Sequence, residues 1–139
     1  MNKRLLLLTA ILLIVFGSSS LLFYNNSKIV ERKEINMTLT VTNNPNEVML
    51  GNSTELVDFG VVLSGSIPKA HLTFTNNHDK TVLITIKKSG KLSAFVSMSQ
   101  NEFSLEPNQT KWVLLEASVP EQVDAGEYTG TLSITQSRA

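Results

Sequence analysis

The 139-residue sequence predicts an all-β chain: a single antiparallel sandwich of seven or eight short strands, preceded by one N-terminal transmembrane helix that holds it outside the cytoplasm. Three observations predict this. Leu5 to Tyr24 is a run of twenty residues without a charge. From Ile35 onward apolar residues recur at every second position, and clusters of Asn, Pro, Gly and Ser interrupt that alternation at short, regular intervals. The length gives room for one domain and no more.

As a helix, the uncharged run would extend roughly 30 Å, which matches a hydrocarbon core. Lys3 and Arg4 on its short flank place the N-terminus in the cytoplasm and send the rest of the chain outward. Phe23 and Tyr24 then serve as aromatic anchors at the far interface. Gly17-Ser18-Ser19-Ser20 also reads as the cleavage region of a signal peptide with Leu5 to Phe16 as its apolar stretch. Cleavage after Ser20 would leave Leu21-Leu22-Phe23-Tyr24 as an apolar free end, which favours the uncleaved anchor. Either reading exports the domain; cleavage would make it a secreted protein. Residues 25–34 are polar and of mixed charge and are expected to form a stalk.

The domain proper is expected over residues 35–139. Ile35, Met37, Leu39 and Val41 alternate with polar residues as a half-buried strand requires, and Asn43-Asn44-Pro45-Asn46 ends the row. Val48 and Leu50 form a second apolar pair, followed by the segment Leu56 to Leu63 containing Asp58-Phe59-Gly60. The chain lacks every other kinase element, so this Asp-Phe-Gly carries no kinase meaning. Ala70, Leu72 and Phe74 make a clean strand closed by Asn76-Asn77-His78-Asp79, and Val82, Ile84 and Ile86 follow. A turn at Ser89-Gly90 then leads into a row of Leu92, Ala94, Val96 and Met98. Phe103 and Leu105, then Val113, Leu115, Ala117 and Val119, and finally Tyr128, Leu132 and Ile134 complete the inward rows. A partly open barrel is the structural competitor of the sandwich.

Leu56-Val57-Asp58-Phe59-Gly60-Val61-Val62-Leu63-Ser64-Gly65-Ser66, with the strand ending Leu72-Thr73-Phe74-Thr75-Asn76-Asn77, resembles the opening of immunoglobulin-like (Ig-like) domains of the major-sperm-protein and ASPM/SPD-2/Hydin kind. Phe103-Ser104-Leu105-Glu106-Pro107-Asn108-Gln109-Thr110, Val119-Pro120 and Ala125-Gly126-Glu127-Tyr128-Thr129-Gly130 are similar to Ig-like accessory modules of prokaryotic surface proteins and glycosidases. The likeness covers roughly residues 55–135. It implies a spacer or a binding surface. The pairing of a membrane anchor with one sandwich also resembles archaeal envelope-facing proteins, including archaellum stator components.

Composition narrows the function. Without Lys3 and Arg4 the chain holds 10 basic and 12 acidic side chains, and no basic surface suited to nucleic acid. Cysteine is absent, so disulfides, thiolate catalysis and thiolate metal sites are excluded. His71 on the polar side of a strand and His78 in an Asn-rich turn have no ligand partner at metal-binding spacing. No nucleophile elbow, phosphate loop, zinc helix or calcium loop occurs, so neither a cofactor nor catalysis is expected.

The candidate binding residues lie elsewhere. The inward row of Val113, Leu115, Ala117 and Val119 puts Trp112 and Leu114 on the opposite face, where an indole either anchors a partner or packs under a loop. Lys87, Lys88 and Lys91 form a basic turn that suits an acidic glycan or lipid surface, or simply a solvated hairpin. Four Asn-x-Ser/Thr sequons, at Asn25, Asn36, Asn52 and Asn108, all fall on the exported side and are candidate glycan sites. These observations predict a non-catalytic, membrane-anchored envelope protein that contacts another protein, a surface layer or a filament. A carbohydrate-binding or accessory module of a surface enzyme is the alternative.

Overall fold

The computed structural model describes residues 29–51 and 56–139. The run expected to span the membrane, the alternative cleavage region, the first part of the expected stalk and the sequons Asn25 and Asn52 lie outside these residues. Among the described residues no helix is long and apolar enough to cross a membrane.

Eight strands form two sheets. They are β1 (Ile29–Thr42), β2 (Val57–Leu63), β3 (Lys69–Thr75), β4 (Val82–Ser89), β5 (Val96–Met98), β6 (Glu102–Leu105), β7 (Thr110–Ala117) and β8 (Gly126–Arg138). One sheet has the order β2-β1-β8-β4-β6 and the other β3-β7-β5. The period-two rows point where the alternation requires. Met37, Leu39 and Val41 from β1, Ile84 and Ile86 from β4, Val113, Leu115 and Ala117 from β7, and Leu132 from β8 share one buried core between the sheets. Phe74 of the smaller sheet meets Phe103 of the larger edge-to-face, with ring centroids 5.5 Å apart.

The larger sheet is mixed and not purely antiparallel, because β1 pairs β2 in parallel. After β1 the chain turns through Pro45–Glu47 and descends outside the position β2 will occupy. Met49 and Val61 exchange both backbone hydrogen bonds there, at 3.0 and 2.9 Å. The chain then reverses, and β2 rises between that segment and β1. Asp58-Phe59-Gly60 builds the irregularity that lets this happen. The Asp58 carboxylate accepts from the Gly60 N–H at 2.8 Å and from the Thr38 hydroxyl at 3.2 Å. Phe59 enters the core, and Gly60 takes φ 85°, shifting the register against β1. A Cβ on Gly60 would collide with the Met49 carbonyl.

Four further expectations are corrected. Strand β1 starts at Ile29, inside the region expected to be stalk, because β8 pairs with it along its whole length from Ser137 to Gly126. Lys87, Lys88 and Ser89 continue β4 and do not form a turn. The row Leu92 to Met98 is not one strand: Lys91–Ala94 is a short 3-10 helix, and only Val96–Met98 is extended. Gly90, at φ 86°, swings the chain across the end of the larger sheet and lies against the Gly130 backbone. Any side chain at Gly130 would meet the Ser89 carbonyl at 2.8 Å and Met37 at 2.9 Å. Val48, Met49 and Leu50 do not add a strand or join the core and are exposed.

Asn76, at the end of β3, is completely buried. Its amide nitrogen donates to the Lys80 and Leu105 carbonyls, both at 2.9 Å, and its side-chain oxygen accepts from the His78 N–H at 2.9 Å. Asn76 thereby ties the smaller sheet to β6 of the larger and satisfies a crossover that would otherwise carry orphaned carbonyls.

Asn76→Ala should cost about 2–4 kcal/mol, since it takes the donor from the buried Leu105 carbonyl, releases the Lys80 carbonyl and the His78 N–H, and empties a fully buried site. Urea unfolding with an unchanged slope is the measurement, and a loss below roughly 1 kcal/mol would remove the pinning role. Gly60→Ala should cost about 2 kcal/mol or more, from the positive φ and the steric conflict together. Thermal unfolding of the purified chain reads it.

Candidate functional site

The three-stranded sheet has an outer face that no other described element covers. Strand alternation places Lys69, His71, Thr73 and Thr75 of β3 there, beside Thr110, Trp112, Leu114 and Glu116 of β7. The intervening residues, Ala70, Leu72, Phe74, Val113, Leu115 and Ala117, face inward. Ser97 of β5 and Ser99 just beyond it extend the face on the other side of β7. Ser99 closes that edge by donating its N–H to the Leu114 carbonyl at 2.9 Å and accepting the Leu114 N–H on its hydroxyl at 3.1 Å.

Trp112 sits at the centre of this face and is 64% exposed. It lies directly across from Thr73 and diagonal to His71, whose ring meets the indole edge-to-face with centroids 5.4 Å apart and planes at 66°. His71 therefore braces the indole from one side while the rest of it stays in solvent. Thr75 and Thr110 share a hydroxyl hydrogen bond of 3.0 Å. The only two formal charges of the face neutralise each other, in an ion pair of 2.7 Å between Lys69 and Glu116. Exposed as it is, that pair contributes little to stability, about 0–1 kcal/mol, but it leaves the face electrically neutral. An aromatic ring surrounded by hydroxyls, without a free charge, is equipped to bind by surface contact.

The expected site residues separate. Trp112 and Leu114 stand side by side on this face, with Leu114 half-buried. The basic residues do not join them and do not form one patch. Lys87 is exposed on the other sheet, and Lys91 starts the 3-10 helix beside a shallow groove that includes Asn36 and Gly130. The Lys88 ammonium donates to the Ser93 carbonyl at 3.0 Å and to the Val96 carbonyl, capping the crossover between the sheets. Its charge is committed to the backbone. Asn36 is exposed on the outer side of β1, and Asn108 is exposed at a tight turn, where its φ of 62° suits asparagine. His78 is exposed. Among the described residues no group of three or more His, Asp or Glu side chains converges to hold a metal ion.

Two features were not visible in the sequence. One is the bracing of Trp112 by His71, which depends on the β3–β7 register. The other is a cleft of about 180 Å³ on the flank of the sandwich, where Leu72 and Phe74 of β3 face Ile35 of β1 beside Ile84 and Ile134, and where Glu31 and Lys33 of β1 add one charge of each sign. Strand β2 begins opposite Met37, so among the described residues no strand lies across the flank between β3 and the first half of β1. Comparison of the chain with family models, with curated proteins and with solved structures finds no match.

Trp112→Ala should leave folding nearly intact, changing stability by less than about 1.5 kcal/mol, because the indole has lost little water and makes one aromatic contact. Leu115→Ala, three positions along the same strand and fully buried, should cost about 2–5 kcal/mol. Parallel thermal melts check both; a large loss for Trp112→Ala would make the indole a packing residue.

Proposed function

We propose that the chain is a non-catalytic, single-pass envelope protein, with a cytoplasmic N-terminus and an extracytoplasmic Ig-like domain that recognises another envelope protein, a surface layer or a filament through the Trp112 face. The uncharged run from Leu5 to Tyr24 behind Lys3 and Arg4 supports the anchor and its orientation. Two sheets around one core support the Ig-like reading. So does Tyr128 near the start of β8, whose hydroxyl donates to the Asp124 carbonyl at 2.8 Å, as in the tyrosine corner of Ig-like sandwiches. The observation that carries the binding role is Trp112, 64% exposed at the middle of a neutral sheet face that no other described element covers. Monomeric proteins keep few large aromatics in such positions, and interfaces are enriched in them.

The hydroxyls of Thr73, Thr75, Thr110 and Ser97 around the indole favour a second reading, a carbohydrate-binding or accessory module of a surface enzyme. A sugar ring offers an apolar C–H face to an indole and hydroxyls at its rim. In native membranes, a photo-cross-linker at Thr110 should give a defined adduct that falls at least tenfold with Trp112→Ala while the protein level holds. Adducts indifferent to Trp112 would refute recognition through this face, and retention on a glycan array that depends on Trp112 would select the carbohydrate reading.

A further inference from the structure

Every sheet edge exposes a row of unpaired backbone donors and acceptors, and proteins normally blunt such rows. Four of the edges among the described residues are blunted here. The outer edge of β2 is covered by the Met49 bridge. Strands β5 and β6 are only three and four residues long. The first half of β1 carries the charged run Glu31-Arg32-Lys33-Glu34. Strand β3 differs: it has seven residues, a continuous register with β7, no proline, and a single lysine already paired with Glu116.

The direction of its free groups follows from the turns at its ends. The Ala117 N–H donates to the Pro68 carbonyl, the Asn76 N–H donates to Gln109, and Asn76 accepts from the Asn108 N–H. Even-numbered backbone groups of β3 therefore face β7. The N–H and C=O groups of Lys69, His71, Thr73 and Thr75 face outward along the open edge. That edge lies between the two features already described, with the Trp112 face on one side and the 180 Å³ cleft on the other.

We propose that β3 is a docking edge for an extended strand of a partner protein, which adds antiparallel or parallel to β3 and enlarges the smaller sheet to four strands. The inference rests on the recognition role proposed above and names its geometry. An added strand would match the outward groups of His71, Thr73 and Thr75 with its own backbone. Its alternate side chains would divide between the two surfaces. Those on the inner side enter the cleft beside Leu72, Phe74 and Ile35, which has room for about one aromatic or large aliphatic group, a cavity of ~150 Å³ being enough for benzene. Those on the outer side lie next to His71 and Thr73, one strand from Trp112. On the outer face a carboxylate or ammonium would be desolvated without a free opposite charge, which selects uncharged side chains there, and in the cleft Glu31 and Lys33 of β1 together carry no net charge, which favours an apolar group over a charged one. The occupant is thus a partner strand that alternates apolar and uncharged polar residues.

The test uses the full chain and a synthetic peptide, Lys-Thr-Ile-Thr-Val-Thr-Ile-Thr-Lys, whose terminal lysines lie beyond the paired segment. Amide hydrogen exchange is followed at His71, Thr73 and Thr75. Saturating peptide should slow these three amides at least tenfold and leave Ser104, on the β6 edge, unchanged. Thr73→Pro removes an outward N–H without touching the β7 ladder, so it should abolish the protection while the thermal midpoint moves by only a few degrees. If that variant unfolds, the exchange pattern of the unaltered chain decides alone. Unchanged exchange at the three amides overturns the proposal. So does protection without peptide that rises with protein concentration, which would make a second copy the occupant. A shift in Trp112 emission with unprotected β3 amides also overturns it, since the ligand then lies on the face only. Native-membrane adducts lost with Trp112→Ala but intact with Thr73→Pro would keep the recognition role and eliminate strand addition; adducts lost with both support the two together.

Discussion

From β2 onward each strand lies in the opposite sheet from the one before it, so no hairpin exists anywhere along that part of the chain. Six successive connections must cross between sheets, and without cysteine there is no covalent bond to hold the layers together. Every pairing is therefore between segments distant in sequence, and the core forms only as all of them come together. Burial of the inward rows is the term that offsets this entropy, since a crossover by itself gains nothing.

The crossovers explain residues whose roles look unrelated. Each one carries backbone polar groups over the end of a hydrophobic core, where water is partly excluded and partners are needed. Asn76 supplies them at one end, through an amide that serves two carbonyls and one N–H. Lys88 supplies them for the crossover that follows β4. Gly90 and Gly130 meet the steric part of the same demand, allowing the chain to lie directly on β8. Polar residues that look like turn punctuation are thus structural pins, and the lysine least free to meet a ligand is the central one of the basic cluster.

This division also sets what the sequence could reveal. A period of two is a local property, so the inward rows of β1 and β7 were legible, and with them the outward placement of Trp112. Pairing partners are not local. Nothing near Ile29 signals a strand, because Val30 to Glu34 is exposed and charged, and its extension is imposed by β8. The parallel β1–β2 pair required the path of the intervening loop. Asp58-Phe59-Gly60 was noticed as a motif, yet its meaning as a bulge appears only with Thr38 and Met49 in place. Likewise His71 was identified as a polar-face residue, while its contact with Trp112 needed the register.

The face and the edge that no described element covers have a common origin. Five strands went to one sheet and three to the other, so the smaller sheet has one central strand, β7, and a long flank at β3. Trp112 alone is a weak anchor: an aromatic side chain buries about 150–250 Å², whereas a stable interface removes about 800 Å² from each partner. A backbone row along β3 and a cleft behind it add area and direction without any rearrangement of the domain, because the strand is already extended and held by β7. The ordering cost then falls on the partner segment alone. In that arrangement the indole contributes affinity, the edge fixes register, and the cleft discriminates among side chains. Under the role proposed above, tethering would raise encounter frequency but could not select a partner, so selection would fall to the edge and the cleft.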